Sequence, residues 1–132
     1  MNYLLDTHTL IWAITDPKKL SKSLQEILQN TDNEVYVSVI SFWEISLKYS
    51  IGKLYLEDLS PDDFLNASIQ TGFKILPLEA KITSNYYKLT ASYHKDPFDR
   101  MLIWEAIQRK FVLMSKDGNV RKYVSEGLKV IF

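Results

Sequence analysis

The chain contains no cysteine. Disulfide frameworks and thiolate metal sites are therefore excluded, and a reducing compartment fits. Glycine and proline are scarce, with four of each, which favours regular elements over long loops. No apolar run approaches the roughly 18–20 residues needed to span a bilayer. The opening MNYLLDTHTLIW has no basic leader and carries Asp6 inside its apolar stretch. It does not read as a secretory signal, so the cytoplasm is the expected location. An excess of one charge is missing too: 16 Lys+Arg balance 16 Asp+Glu. That argues against a surface coated for duplex binding, though not against a local basic patch. A glycine-rich phosphate loop and a serine in a nucleophile elbow are both absent.

What is present is an ordinary globular composition, 46% hydrophobic over 132 residues. With no repeat, low-complexity tract or linker, one domain over 1–132 is expected. Short β-rich runs at 3–5, 35–39, 73–76, 111–115 and 128–132 predict strands. Between them lie helical patterns over 7–14, along Leu20, Leu24, Ile27 and Leu28, and over 40–51, 61–71 and 79–92. A further helix is predicted from Pro97 and a short one near 119–125. This alternation argues for an α/β fold: a mostly parallel central sheet with helices on both faces. Such sheets bind ligands beyond the carboxyl ends of their strands.

The acids fall at that end. Asp6 directly follows the first strand, and Asp117 comes two residues after FVLMS. Glu44 shares a helical face with Ile40, Leu47 and Ile51. Asp99, in HKDPFDRMLIWEA, shares one with Ile103 and Ala106. An unpaired carboxylate on an apolar face would rather take up a proton. Two of them ~4 Å apart repel by ~4 kcal/mol at an effective dielectric of ~20. A divalent cation removes both objections. With no thiolate and only two histidines, a hard, oxygen-seeking ion such as Mg²⁺ or Mn²⁺ fits better than zinc.

Simpler readings stand beside this one. Asp96 before Pro97 suits an N-cap, which leaves Asp99 at N3, favoured by the helix dipole. Asp6 reads equally as a helix cap or a ligand. Asp117 before Gly118 reads alone as a turn residue. A Glu44–Lys48 pair at i, i+4 is disfavoured by the apolar stripe around Glu44. His8 reads as a hydrogen-bonded residue near a helix start, and His94 as facing phosphate or solvent. Trp12, Trp43 and Trp104 lie in apolar helical patterns and read as core or interface. Two other functions are consistent with the acids. One is a phosphohydrolase or phosphotransfer domain with Asp6 as nucleophile. The other is a non-catalytic protein-interaction module.

LLDTHTLIW, VSVISFWEISLKYSIGKL, HKDPFDRMLIWEA and LMSKDGNV occur in that order and spacing. Together they resemble the PIN domains of VapC-type toxins, the nuclease half of toxin–antitoxin pairs. The resemblance implies a PIN-like three-layer α/β/α fold and a pocket that binds Mg²⁺ or Mn²⁺. It implies metal-dependent cleavage of RNA phosphodiester bonds, an antitoxin laid across the pocket, and a homodimer. By position, Asp6, Glu44, Asp99 and Asp117 match the metal-binding and catalytic acids. Thr7 and Ser115 match the accompanying hydroxyls, the latter more often threonine. Ser38 and Ser41 match small polar positions near the pocket, and Asp96 lies in the motif but reads as a cap. Arg100 and Lys116, each beside an acid, are candidates for contact with flanking phosphates.

Overall fold

A computed structural model describes residues 1–132. Five strands form one sheet: β1 (Asn2–Leu5), β2 (Glu34–Ser38), β3 (Lys74–Leu76), β4 (Val112–Met114) and β5 (Lys129–Ile131). Their spatial order is β3-β2-β1-β4-β5. Every neighbouring pair is parallel, from Tyr36↔Lys74 through Tyr3↔Val35 and Tyr3↔Val112 to Val112↔Lys129. The sheet is thus wholly, not mostly, parallel. Successive connections run outward from β1 to β3, then return to the other side for β4 and β5. The switch point lies between β1 and β4, where this architecture opens its ligand crevice.

Seven helices make the crossovers: α1 (Thr7–Thr15), α2 (Lys22–Gln29), α3 (Val39–Ser50), α4 (Pro61–Thr71), α5 (Ala80–Ser84), α6 (Pro97–Arg109) and α7 (Gly118–Arg121). Strand alternation builds the two core layers. Tyr3 and Leu5 join Val35, Val37 and Met114 against α1, α2 and α4. Leu4 joins Leu76 and Leu113 on the opposite face, against Leu102, Ile103 and Ala106 of α6. Burial on both faces explains why YLL and VLM read as continuous apolar runs. None of the helices is long and apolar enough to cross a membrane.

The helix expected over 79–92 is shorter. α5 stops at Ser84, a single 3₁₀ turn covers Tyr86–Lys88, and the chain then runs irregularly to Asp96. Side chains of α6 claim the carbonyls that a longer helix would use. Trp104 Nε1 donates to Ile82 O at 3.0 Å, and Arg100 donates to Leu89 O and Ala91 O at 2.9 and 2.7 Å. The carboxyl-terminal helical stretch likewise splits, with α7 followed by a 3₁₀ segment at Lys122–Glu126.

Candidate metal centre

Four of the acids are delivered by the end of a strand or the start of a helix, and Glu44 by the middle of α3. Asp6 follows β1 and caps α1, its Oδ1 accepting the Thr9 N–H at 2.8 Å. Its own amide donates to Met114 O at 3.1 Å, so the β1–β4 pairing continues through it. Asp117, past β4, caps α7 by accepting the Asn119 N–H at 2.7 Å. Glu44 lies on α3, whose N-cap Ser38 is the last residue of β2, and is only 3% exposed. Asp96 caps α6, accepting the Phe98 and Asp99 amides at 2.8 and 3.1 Å, and Asp99 lies in the first turn.

These five carboxylates line one cavity of about 460 Å³, together with Lys48, Lys116, His8, His94, Thr9 and Trp12. Asp99 is central to it. Donor atoms of Asp99, Asp96 and Glu44 lie within 4.8 Å of one another, and so do those of Asp99, Asp117 and His94. Asp96 therefore caps its helix with one oxygen and offers the other to the cavity.

The electrostatics are those of crowded acids. Burial, followed by repulsion from Asp96 and Glu44, pushes the Asp99 carboxyl up to about 7. Burial also raises Asp6, against hydrogen bonds from Ser115 and Thr9. Asp117 is partly buried, which would raise it, but the Asn119 amide and His94 hold it below the usual carboxylate value. Glu44 Oε1 is buried with no partner at all. A divalent cation held between Glu44, Asp96 and Asp99 would offset this crowding and favour the ionised form of Asp99. The oxygen-only acids suit a hard ion, so the residues present fit a divalent metal.

Around the acids, hydroxyls and one ring set their orientation. The Ser115 hydroxyl links Asp6 to the backbone N–H of Asp117, which it accepts at 3.2 Å. Thr7 Oγ1 donates to Ser41 Oγ at 3.1 Å, tying α1 to α3. His94, read as facing phosphate or solvent, lines the cavity and is bound to two of the acids. Its Nδ1 accepts the Asp96 N–H at 3.1 Å, which assigns the proton to Nε2. Nε2 then lies 3.0 Å from Asp99 Oδ2 and 3.1 Å from Asp117 Oδ2. In that tautomer His94 donates to the carboxylates. Its sequence signal is its place just before the Asp96 cap, which fixes the ring over the start of α6.

Some expectations change. Lys48 does pair with Glu44 and lies 3.9 Å from Asp96, so the disfavoured i, i+4 pair forms and the cavity carries its own cation. His8 is exposed and packs against Trp12, with ring centroids 6.0 Å apart. Ser38 does not serve the acids. Its hydroxyl donates to the fully buried Glu105 at 2.6 Å and accepts the Ile40 N–H at 3.1 Å. Glu105 itself was missed, although an acid inside the apolar run LIWEA was the available signal.

Arg100 is corrected as well. Its guanidinium is turned inward, donating to Tyr86 Oη, Ala91 O, His94 O, Tyr123 Oη and Leu89 O. Every guanidinium nitrogen is engaged inside the fold and only one Nη2 hydrogen is left over, so the side chain serves to fasten segment 86–94 to α6. Arg100→Ala is expected to destabilise the fold by on the order of 2–4 kcal/mol, since several partly buried acceptors lose their donor together. Lys cannot reproduce the planar fork, so Arg100→Lys should recover little. Urea unfolding checks this, and a midpoint unchanged from wild type would show that the clamp is dispensable.

The chain is similar in sequence and fold to known proteins. Ribonuclease VapC22 of Mycobacterium tuberculosis is 25% identical over 122 residues, covering 91% of this chain and 90% of that one. The fold is similar to that in a crystal structure of VapBC2 from Rickettsia felis bound to a DNA fragment from the promoter. The TM-score is 0.68 at 20% identity, with coverage of 99% and 98% of the two chains. It is also similar to DNA-bound VapBC from Salmonella typhimurium, with a TM-score of 0.69 at 19% identity and coverage of 99% and 97%. The PIN domain family matches residues 3–125, which takes in most of β1, the switch point and all five acids, and the chain belongs to that family.

Proposed function

We propose that this chain is a VapC-type endoribonuclease that hydrolyses RNA phosphodiester bonds with Mg²⁺ or Mn²⁺, acts in the cytoplasm, and is restrained by a cognate antitoxin. The observation that carries the reading is the cavity at the switch point, where Asp6, Glu44, Asp96, Asp99 and Asp117 converge and Glu44 Oε1 has no partner. Asp6, Glu44, Asp99 and Asp117 would hold the metal. A bound divalent ion lowers the pKa of a water at neutral pH and offsets charge developing at phosphorus.

The chain's own residues do the rest. Ser115, through its bonds to Asp6 and the Asp117 amide, and His94, through Asp99 and Asp117, fix the directions of the carboxylates. Thr7 holds α1 to α3 and so sets Asp6 relative to Glu44. Lys116, on the cavity wall, is placed to meet a phosphate beside the cut. Asp6 as a phospho-accepting nucleophile fits less well, because it is 7% exposed and its Oδ1 is engaged by the Thr9 amide.

The VapBC assemblies among the similar structures support an antitoxin partner. A homodimer belongs to the same reading. Trp43, 58% exposed and edge-on to Phe98, borders an apolar groove with Ile40 and Met101 that a second copy would cover. The test is end-mapping of total RNA exposed to the purified chain. Discrete cuts are expected with Mg²⁺ or Mn²⁺ and none in excess chelator; equal cutting in both would overturn the metal-dependent reading.

A further inference from the structure

Trp12 is the only apolar side chain lining the carboxylate cavity. It sits on α1, on the Asp6 side, half-buried. Its indole packs edge-on to Phe132, with centroids 6.2 Å apart at 70°, which steadies the ring from behind. Lys116 Nζ lies 5.9 Å from the Trp12 ring and 5.8 Å from that of Phe132. The exposed His8 ring stands 6.0 Å from Trp12, tilted by 51°. An aromatic face, a flanking cation and a second, exposed ring thus share the cavity wall with Asp6 and Asp117.

Bare carboxylates gain nothing from such a neighbour. The face of an indole is electronegative and its body is apolar, so it neither balances the acids nor hydrates well. A nucleotide satisfies both halves of the wall at once. Its base has a π-face that stacks on indole whatever the sequence, and its phosphate is an anion for Lys116. We propose that Trp12, steadied by Phe132 and flanked by Lys116 and His8, is a stacking subsite for one unpaired base next to the scissile phosphate. The subsite rests on the ribonuclease reading and adds to it a residue that positions the RNA by a base instead of a phosphate. A base inside a duplex is already stacked on both faces, so only a splayed nucleotide can use it.

The test separates binding from cutting. In an Asp6→Asn background, fluorescence anisotropy measures binding of labelled oligoribonucleotides of about 12 nucleotides, one each of A, C, G and U. Trp12→Ala is expected to weaken binding by ~10- to 100-fold, the range that stacking on one ring supplies, while Trp12→Phe keeps most of it. Annealing a complementary strand should erase the difference. In the chain with Asp6 intact, Trp12→Ala should raise KM for single strands much more than it lowers kcat. Equal affinity of Trp12→Ala and its parent overturns the subsite, as does no binding by the parent. It is also overturned if Trp12→Ala spares RNA binding and only loosens a protein inhibitor. A wild-type chain that cuts no RNA overturns the ribonuclease reading instead, and the anisotropy comparison then still decides the subsite. Thermal melts of Trp12→Phe alongside Trp12→Ala show whether packing on Phe132, and not stacking, was lost.

Discussion

Asp6→Asn is expected to lower metal-dependent RNA cleavage by more than about 100-fold, the upper end of what loss of an outer-sphere partner costs a metal site, while leaving the fold intact. The fold survives because asparagine serves as well as aspartate at an N-cap, so the Thr9 amide keeps its acceptor. Removing a buried, pKa-raised carboxyl also relieves a desolvation cost, so the thermal midpoint should hold or rise. The loss falls on metal binding: Asn keeps one oxygen but not the charge. Calorimetric titration with Mn²⁺ measures affinity, and end-mapping measures cutting. If Asp6→Asn cuts RNA at the wild-type rate with the wild-type metal requirement, Asp6 is a cap and nothing more.

A second large effect concerns a group outside the cavity. Burial pushes the Glu105 carboxyl from the ordinary glutamate value up to about 7, against the Ser38 hydrogen bond and the Arg109 charge. Its Oε2 is buried without a partner, and so is Arg109 Nε one turn along α6. A folded-state pKa above the unfolded value means that the native protein binds the proton more tightly. Its stabilising contribution is therefore fully present below the unfolded pKa, about 4.5, and is lost as pH rises through about 7. The full shift corresponds to about 3 kcal/mol as an upper value.

Glu105→Gln keeps an oxygen for Ser38 and cannot ionise. It should match wild type near pH 5 and exceed it in urea resistance by about 1–3 kcal/mol at pH 8.5. The raised pKa of Asp99 gives the metal-free wild type a slope of the same sign, so the difference between the two proteins, not either curve alone, isolates Glu105. Parallel urea midpoints from pH 5 to pH 8.5 would mean that Glu105 stays ionised in the fold. The pair also carries geometry. Ser38 caps α3, which bears Glu44, while Glu105 lies on α6, which bears Asp99. Ser38 thus joins the two helices behind the acids instead of orienting a ligand.

The legibility of all this in the sequence follows burial and locality. YLL, VYVSV and FVLMS announce strands because the sheet is covered on both faces, and Asp6, Glu44, Asp99 and Asp117 stand out because acids interrupt apolar patterns or follow strands. Asp96 was legible as a cap, and its second oxygen was not, since facing a cavity is a property of the assembled helices. The inward turn of Arg100 depends on carbonyls six to eleven residues away in an irregular segment that no periodicity describes. Trp12 fits an apolar helical pattern as well as any core residue, and only the assembled cavity shows that it lines the site. The fork of His94 to Asp99 and Asp117 spans 23 residues to the latter and needs the fold to exist.

The central strand is also the earliest of the five along the chain. β1 finds β2 early, but its other edge waits for β4, with Tyr3 meeting Val112 across more than a hundred residues of intervening chain. Contacts of such separation form slowly and late. A growing polypeptide that has passed α6 but not β4 holds half a sheet, an open strand edge, and a carboxylate set lacking Asp117. In the ribonuclease reading, hydrolytic power therefore waits until β4 docks on β1 and brings Asp117 to the other acids.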